Sequence, residues 1–164
     1  MVILLMGVSG AGKTTTGKQL AHQLGWQFFD GDDLHPTANI EKMRRGIALS
    51  DADRRPWLEA VRTLLEDAIK NKINAVVACS ALKRSYRERL IVNPAAVKLV
   101  YLKGEPQLIS RRLTRRRRHF MSRDLLTSQF DTLEEPTDAI VVDVAQSTAA
   151  IVHNIQQKLG LQPY

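Results

Sequence analysis

The sequence predicts an α/β fold, a doubly wound parallel sheet of about five strands with helices on both faces. Three observations favour it: five short apolar runs rich in β-branched residues, amphipathic patterns between them, and polar motifs directly after several of the runs. Short apolar runs suit strands that are buried on both faces of a parallel sheet. Such sheets bind ligands at the carboxyl ends of their strands, which is where the polar motifs fall.

The elements follow in order along the chain. The first strand runs into a glycine-rich turn and a helix that begins near Lys13. A second helix is predicted where apolar residues recur three and four apart between Trp57 and Ile69, since Pro56 is tolerated in a first turn. Ser80 and Ala81 are expected to open another helix. A last helix spans residues 151–159, with Gly160 as its C-terminal cap. The predicted strands are residues 2–6, about 27–29, 75–79, 97–102 and 139–144.

Length and composition predict one domain, residues 1–164. A chain of 164 residues that is 44% hydrophobic and 25% charged can bury one core but hardly two. No apolar run approaches the roughly 18 residues of a membrane span, and no basic region precedes the first apolar run as in a signal peptide. The single cysteine, Cys79, excludes an internal disulfide. We therefore expect a cytoplasmic protein that does not contact a membrane.

The net charge of +7 is concentrated in residues 111–123, which contain seven arginines and no acid. The rest of the chain holds 17 Lys and Arg against 17 Asp and Glu, so it is neutral. A duplex-binding surface usually gathers basic residues from several elements, and one local cluster does not favour nucleic acid. Arginines this close repel one another unless an anion lies among them, which would suit a binding site for an anion. The simpler explanation of the cluster is a helix face exposed to solvent.

Residues 7–14, GVSGAGKT, fit the P-loop pattern G-x-x-x-x-G-K-[ST] between a predicted strand and a predicted helix. Glycines allow successive N–H groups to point at phosphate oxygens, and the helix adds its positive end. Lys13 would contact the β- and γ-phosphates of ATP, and Thr14 would hold Mg²⁺ through its hydroxyl. This is the only metal expected, because the histidines lack metal-ligand spacing. The predicted nucleotide-binding residues here are Gly7, Gly10, Ala11, Gly12, Lys13, Thr14 and Thr15.

Acidic residues after the second predicted strand favour a small-molecule kinase over other P-loop proteins. A GTPase would need Asn-Lys-x-Asp, and residues 71–74 lack the aspartate. A motor-type ATPase would need an acid after a second apolar strand; Asp143 superficially qualifies but follows the last strand, so we interpret it as a loop or cap residue. Asp30 and Asp32 flank Gly31 just past the second strand. Beside a P-loop they are candidates for a magnesium-water ligand and for a base aimed at an acceptor hydroxyl, with a turn-and-cap role as the alternative.

Three blocks of the sequence, residues 30–36, 53–58 and 79–83, are more specific than the P-loop. With them the chain resembles the bacterial-type gluconate kinases over nearly its whole length. The resemblance implies ATP-dependent phosphorylation of D-gluconate on its 6-hydroxyl, on a fold shared with shikimate and nucleoside monophosphate kinases. It also suggests a homodimer. The other matching blocks are residues 39–43, 86–87, 101–104, 112–113, 119–120, 128–130 and 133–136.

Gluconate is a carboxylate with a row of hydroxyls, so its site needs a guanidinium for the acid end and oxygen acceptors for the hydroxyls. The resemblance implies that Asp32 is the base, at the position used in shikimate kinases, and that Asp30 organises magnesium; which acid has which role stays open. Each of three candidates also has a simpler explanation than substrate binding. Arg54 could be a solvated charge at the start of a helix, His35 could have a packing role, and Lys83 could be a surface residue. The predicted substrate-binding residues are Asp32, His35, Lys42, Arg54, Lys83 and Arg87.

The resemblance also implies that the arginine window belongs to a lid, about residues 111–130, that closes over ATP. Arg112 matches the position expected against the adenine ring. Arg116 matches the lid arginine near the phosphates, and with Lys13 and Asp32 it completes the predicted catalytic set. The family pattern has a glycine directly before His119–Phe120, where this chain has Arg118. A long residue at a glycine hinge would stiffen closure, which concerns lid kinetics more than substrate identity.

Three functions remain at this point. The first is a gluconate kinase that uses ATP and Mg²⁺. The second is another small-molecule kinase of the same fold, which acts on shikimate or a nucleoside monophosphate. The third is a nucleic-acid-binding NTPase whose contact surface is the arginine run, and it would bind polynucleotides in a strongly salt-dependent way. The neutrality of the rest of the chain argues against the third, so no nucleic-acid partner is expected.

Overall fold

The computed structural model describes residues 1–116 and 122–164 of the chain. A short 3₁₀ helix, Gly31–Leu34, follows the second strand. The strands are β1 (Val2–Met6), β2 (Gln27–Asp30), β3 (Ala75–Ala78), β4 (Val97–Lys103) and β5 (Ile140–Asp143). The helices within the described residues are α1 (Lys13–Leu24), α2 (Thr37–Arg44), α3 (Asp51–Lys70), α4 (Arg84–Leu90), α5 (Pro106–Arg115), α6 (Arg123–Thr132) and α7 (Thr148–Leu159).

The five strands found in the described residues form one parallel sheet in the order β2–β3–β1–β4–β5, which confirms the predicted fold class. Central β1 pairs with β3 on one side and with β4 on the other. The connection after β1 leads toward one edge of the sheet and the connection after β4 leads toward the other. A crevice therefore opens at the carboxyl ends of β1 and β4, the usual ligand position in such sheets.

Two hydrophobic layers cover the sheet because the side chains of β1 alternate between its faces. Ile3 and Leu5 belong to the layer that includes α1, α5 and α7. Val2, Leu4 and Met6 belong to the layer that includes α3 and α4. All five side chains of β1 are fully buried. Packing on both faces thus fixes the carboxyl end of β1, where the glycine-rich turn begins.

The observed strands agree with the predicted ones to within one residue at each end. The prediction that every strand is buried on both faces is wrong for β2 and β5, whose residues are mostly half-buried or exposed. Both are edge strands and have a neighbour on one side only. The carboxyl end of β2 therefore remains accessible beside the glycine-rich turn.

Helix caps explain where the longer helices begin and end. Ser50 and Asp53 form a capping box at the start of α3, so this helix begins before the apolar pattern at Trp57. The predicted cap of α7 is confirmed, since Gly160 has a φ of 65°. The expectation that Ser80 and Ala81 open a helix is wrong: Ala81 has a φ of 46°, and α4 begins at Arg84. No helix in residues 1–116 or 122–164 is long and apolar enough to cross a bilayer.

Candidate active site

The turn between β1 and α1 presents main-chain amides around a small concave surface. Gly10 and Gly12 have φ angles of +85° and +90°, in the left-handed region that glycine adopts without strain. Gly10 also packs so closely against α5 that an added Cβ would lie 2.9 Å from Leu113 Cγ. Gly12 is the N-terminal cap of α1, whose free N–H groups and positive dipole end face this turn. Together these features suit a phosphate-binding loop.

The Lys13 ammonium folds back over this loop. Its Nζ donates to the carbonyl oxygens of Gly7 at 2.9 Å and Val8 at 3.0 Å. Burial lowers the pKa of Lys13, because desolvation disfavours the charged form, while the carboxylates of Asp32 and Asp30 act in the opposite direction. The cation thus lies between the loop and two acids, one at the end of β2 and one just after it.

Asp30, the last residue of β2, is tied to the phosphate-binding loop. Its Oδ2 accepts a hydrogen bond from Thr14 Oγ1 at 2.6 Å, and its Oδ1 accepts one from the main-chain N–H of Asp32 at 3.0 Å. Asp30 therefore has a partner on each oxygen, while the Asp32 side chain is exposed and lines a cavity. A hydroxyl and a carboxylate oxygen side by side form a donor set of the type that Mg²⁺ prefers. The described residues contain no cluster of three His, Cys, Asp or Glu that could hold a metal.

A cavity of about 370 Å³ lies on one side of the phosphate-binding loop, next to α5 and the start of α7. Arg112 and Arg116 line it, so the structure brings both predicted arginines beside the loop. Arg112 Nη2 donates to the carbonyl oxygen of Val144, which fixes its guanidinium. A planar guanidinium held in this way can stack on an aromatic base. The other lining residues are Gly10, Ala11, Gly12, Thr15, Thr16, Arg115, Gln146, Ser147, Thr148 and Ile151.

A second cavity, of about 440 Å³, lies on the side of the loop that carries Lys13. Side chains from α2, α3, α4 and α6 enclose it, and four of the predicted site residues line it: Lys13, Asp32, His35 and Arg54. We call it the acceptor cavity. Its remaining polar lining is Ser9, Asp33, Ser80, Tyr86, Ser128 and Gln129, and its apolar lining is Ile40, Met43, Ala48, Leu49, Trp57, Leu82 and Leu125.

His35 both packs and lines the acceptor cavity, so its packing role does not remove it from the candidate site. Its ring stacks on Trp57 with the centroids 4.2 Å apart, and Trp57 Nε1 donates to the carbonyl oxygen of Gly31 at 2.8 Å. Burial lowers the pKa of His35, which keeps the ring neutral at pH 7. Asn39 Nδ2 lies 3.3 Å from His35 Nδ1 and can only donate. The ring proton therefore belongs on Nε2.

Arg54 belongs to a polar network at the wall of the acceptor cavity. Its Nη1 donates to the Tyr86 hydroxyl at 3.2 Å, and this hydroxyl in turn donates to Asp51. Lys83 Nζ donates to the same carboxylate at 2.9 Å. The hydrogen bonds from Tyr86 and Lys83 lower the pKa of Asp51. The network orients the Arg54 guanidinium, which is half-buried and lines the cavity as predicted.

Three predicted substrate residues do not line the acceptor cavity. Lys42 pairs with Asp53 at 2.8 Å, and Lys83 pairs with Asp51 at 2.9 Å. Arg87 is only 6% exposed, and its guanidinium donates to the carbonyl oxygens of Ala81, Leu82 and Glu134 at 2.8–2.9 Å. It faces a larger groove of about 740 Å³ that contains no residue of the phosphate-binding loop. These contacts connect three main-chain carbonyl groups through Arg87, so its role is structural and it is not part of the acceptor cavity.

Three residues that are not among the predicted site residues also line the acceptor cavity: Tyr86, Trp57 and Gln129. Each lies in a block that resembles the gluconate kinases, and this resemblance is the one feature of the sequence that could place these residues in the site. Tyr86 and Trp57 are buried. In the sequence, an aromatic residue within an apolar pattern looks the same whether it lines a cavity or belongs to the hydrophobic core. Gln129 contacts a loop 120 positions away, and no local pattern predicts such a pair.

The predicted lid, residues 111–130, consists within the described part of the end of α5 and most of α6. Arg117, Arg118 and the His119–Phe120 pair lie outside the described residues, so the predictions on the hinge at Arg118 stay predictions. Ser122 caps α6 by accepting a hydrogen bond from the N–H of Leu125. Cys79 is buried, and this burial raises the pKa of its thiol to about 12, so the thiol stays protonated at neutral pH.

Comparison with known proteins identifies the chain's relatives. A protein-family model described as an AAA domain matches residues 2–140. The thermoresistant gluconokinase of Escherichia coli K12 is 44% identical over 160 residues, which cover 92% of this chain and 89% of that protein.

Solved structures agree with this likeness. The crystal structure of a gluconokinase from Sinorhizobium meliloti superposes with a TM-score of 0.86 at 42% identity, over 97% of this chain and 91% of that one. A shikimate kinase from Bacteroides thetaiotaomicron superposes with a TM-score of 0.68 at 23% identity, over 98% of this chain and 99% of that one. The second likeness shows the fold alone and confirms that it is shared with shikimate kinases.

Proposed function

The chain belongs to the gluconokinase family, and on that premise we propose that it transfers the γ-phosphoryl group of ATP to the 6-hydroxyl of D-gluconate. The products are 6-phospho-D-gluconate and ADP. The proposed reaction is supported by gluconokinases that are similar to this chain over most of its length.

One observation supports a transfer reaction: two cavities share the phosphate-binding loop. Gly10, Gly12 and Thr15 line the cavity beside the arginines, while Lys13 and Ser9 line the acceptor cavity. A nucleotide in the first cavity would place its terminal phosphate at the loop, next to an alcohol in the second. Phosphoryl transfer needs this alignment above all, because its transition state is loose and little covalent chemistry is left to the protein.

The acceptor cavity contains groups that suit each end of gluconate. The guanidinium of Arg54, oriented by Tyr86, binds the carboxylate. The Nε2–H of neutral His35 donates to a hydroxyl of the sugar acid. Asp32 accepts the proton of the 6-hydroxyl as its oxygen attacks the γ-phosphorus. The new P–O bond forms while the bond to the β-phosphate oxygen breaks, and the electron pair leaves with ADP.

The Thr14 hydroxyl and the Asp30 carboxylate are the residues that would hold Mg²⁺ in this proposal. The 2.6 Å hydrogen bond between these two side chains places both oxygens on one side of the loop. When bound, the ion neutralises charge on the β- and γ-phosphates. Because both carboxylate oxygens of Asp30 are engaged in hydrogen bonds, Asp30 is the magnesium organiser and Asp32 the base.

Arg112 and Arg116 contact the nucleotide in this proposal. Arg112 lies against the adenine ring, because its guanidinium is fixed at the wall of the smaller cavity. Arg116 follows the last residue of α5 and lines the same cavity, so its cation can reach the phosphates. Residues 111–130 would cover ATP and exclude water from the transferring group, and α6 is already held against the phosphate-binding loop by the hydrogen bond from Ser9 to Gln129.

The direct experiment is an acceptor panel with the purified protein and Mg·ATP. We expect coupled ADP release with D-gluconate and little with shikimate or nucleoside monophosphates, together with a product phosphorylated on carbon 6 by NMR. Release of ADP with shikimate but not with gluconate would overturn the proposal. Release stimulated by a polynucleotide without any sugar acid would favour the NTPase alternative.

Two predictions about partners accompany this function. The likeness to gluconokinases suggests a homodimer, which sedimentation analysis would detect. We expect no polynucleotide binding at about 0.15 M salt, because the charge outside residues 111–123 is balanced. The cytoplasmic location also stays a prediction.

A further inference from the structure

Gln129 connects the phosphate-binding loop with the acceptor cavity. Its Oε1 accepts a hydrogen bond from the main-chain N–H of Ser9 at 2.7 Å. The same side chain lines the acceptor cavity, together with Lys13 and Asp32. Gln129 therefore lies at the end of the cavity where the phosphoryl group would arrive.

The backbone that carries Gln129 is anchored. Leu125 and Leu126 of α6 are buried, 5% and 6% exposed. Just beyond the helix, the N–H of Glu134 donates to the carbonyl oxygen of Leu82 at 2.9 Å. Arg87 Nη2 donates to the carbonyl oxygen of Glu134 at 2.8 Å. A side chain on so firmly held a helix can position a substrate group accurately.

The unused half of the Gln129 amide is a hydrogen-bond donor. A primary amide has one acceptor oxygen and an NH₂ group with two donors. Since Oε1 is engaged by Ser9, the NH₂ group is left for another partner, and residues 1–116 and 122–164 supply no acceptor for it. The acceptor cavity that Gln129 lines is where a ligand oxygen would be found.

We propose that Gln129 is a further substrate-positioning residue, whose Nε2–H donates to the hydroxyl next to the reacting one, the 5-hydroxyl of gluconate. This inference rests on the proposed function. The reacting 6-hydroxyl must point at the phosphate-binding loop, so the neighbouring hydroxyl is the one within reach of a side chain bonded to that loop. Oε1 at the same time holds Ser9, so a single amide aligns the donor loop with the acceptor alcohol.

The test measures kcat/KM for gluconate and for 5-deoxygluconate with both the wild type and Gln129→Leu, as a double cycle. For the wild type, we expect removal of the 5-hydroxyl to lower kcat/KM about tenfold, because bound substrate would cover the half-buried Gln129 amide and leave its donor without an acceptor. For Gln129→Leu, which has already lost that donor, we expect a change below about twofold. Any effect through Ser9 and the loop is shared by both acceptors and cancels in this ratio.

Thr127→Ala, an exposed position on the same helix, is the matched control and should show the wild-type ratio. Melting temperature and ATP affinity report on folding, and Gln129→Met replaces the leucine variant if that one does not fold. An equal 5-deoxy penalty in wild type and variant would overturn the inference and leave the proposed function intact. A wild type that does not phosphorylate gluconate would refute the proposed function itself, and this inference with it.

Discussion

The two sides of the active site are built in opposite ways. The phosphate-binding part of the nucleotide side depends on the main chain of consecutive residues, 7–15, at the end of the central strand, and the α5 segment adds Arg112 and Arg116 beside it. The acceptor side depends on side chains from five elements: α2, α3, α4, α6 and the 3₁₀ helix after β2. One side is defined by backbone conformation, and the other by which side chains the fold brings together.

This difference separates general chemistry from substrate choice. Main-chain amides bind phosphate whatever the neighbouring side chains are, so the nucleotide side needs glycines at positive φ and one lysine. On the acceptor side, we expect substrate choice to depend on individual side chains such as Arg54, which lines the cavity. Mutations on the two sides should therefore differ in which kinetic constant they alter.

The largest effect is expected for Lys13→Met. Loss of the ammonium that faces the phosphate-binding loop removes charge stabilisation from the transferring group, and kcat should fall by about 10³-fold or more. The coupled ADP assay measures this loss. Lys18→Met, on the exposed side of α1, is the control. A Lys13 variant with wild-type turnover and nucleotide affinity would contradict the assignment of the loop.

Asp32→Asn tests the acceptor side at the reacting atom. Loss of the base should lower kcat by about 10²- to 10³-fold while the KM for ATP stays unchanged. Asp30→Asn should instead raise the Mg²⁺ concentration that half-maximal activity requires, because Asp30 is bonded to Thr14. Titration of both variants with Mg²⁺ distinguishes the two acids, and exchanged phenotypes would reverse their assignment.

Arg116→Ala tests whether the end of α5 belongs to the nucleotide side. We expect kcat to fall by about 10²-fold, because a cation near the transferring group is lost, while the KM for gluconate changes little. Arg111→Ala removes one charge from the same window and serves as the control. Unchanged kcat for Arg116→Ala would refute the role of Arg116 in the lid.

Arg54→Lys should alter substrate binding more than turnover. Lysine keeps the charge but loses the planar guanidinium and its bond to Tyr86, so the KM for gluconate should rise about tenfold with no change in the KM for ATP. Arg55→Lys, at the next and exposed position, is the matched control. A rise in the KM for ATP would mean that Arg54 does not belong to the acceptor side.

The smallest effect concerns the Lys42–Asp53 pair, which the structure places outside the cavity. The hydrogen bond from Lys42, helped by Ser50, lowers the pKa of Asp53 to about 2. A lowered carboxyl pKa stabilises the folded state above the unfolded pKa of about 4, and the gain disappears as pH falls to about 2. Asp53→Asn should therefore lower Tm at pH 7 but not at pH 2, with kcat nearly unchanged. A Tm difference independent of pH would exclude this ion pair as the cause.

The nucleotide side was predictable from the sequence because it is local. Gly10, Gly12 and Lys13 are neighbours in the chain, and their motif appears with the strand and helix that it requires. The strands were predictable to within one residue for the same reason, since each is a short apolar run between polar turns.

The acceptor side was predictable only in part. Asp32, His35 and Arg54 line the cavity as expected, whereas Arg87 does not. Nothing in the sequence distinguishes an arginine that binds a substrate from one that clamps three carbonyl groups. The difference depends on the direction of the guanidinium, and packing of α4 against the segment at Glu134 determines that direction.

The sequence alone thus determined the sheet, the phosphate-binding loop and the residue types available for the chemistry, because local periodicity and backbone preference act over a few residues. Only the tertiary structure decided which of the basic side chains face the acceptor cavity, and that Gln129 contacts Ser9. These contacts join positions far apart in the chain, and burial and hydrogen-bond pairing select among side chains that look equivalent in the sequence.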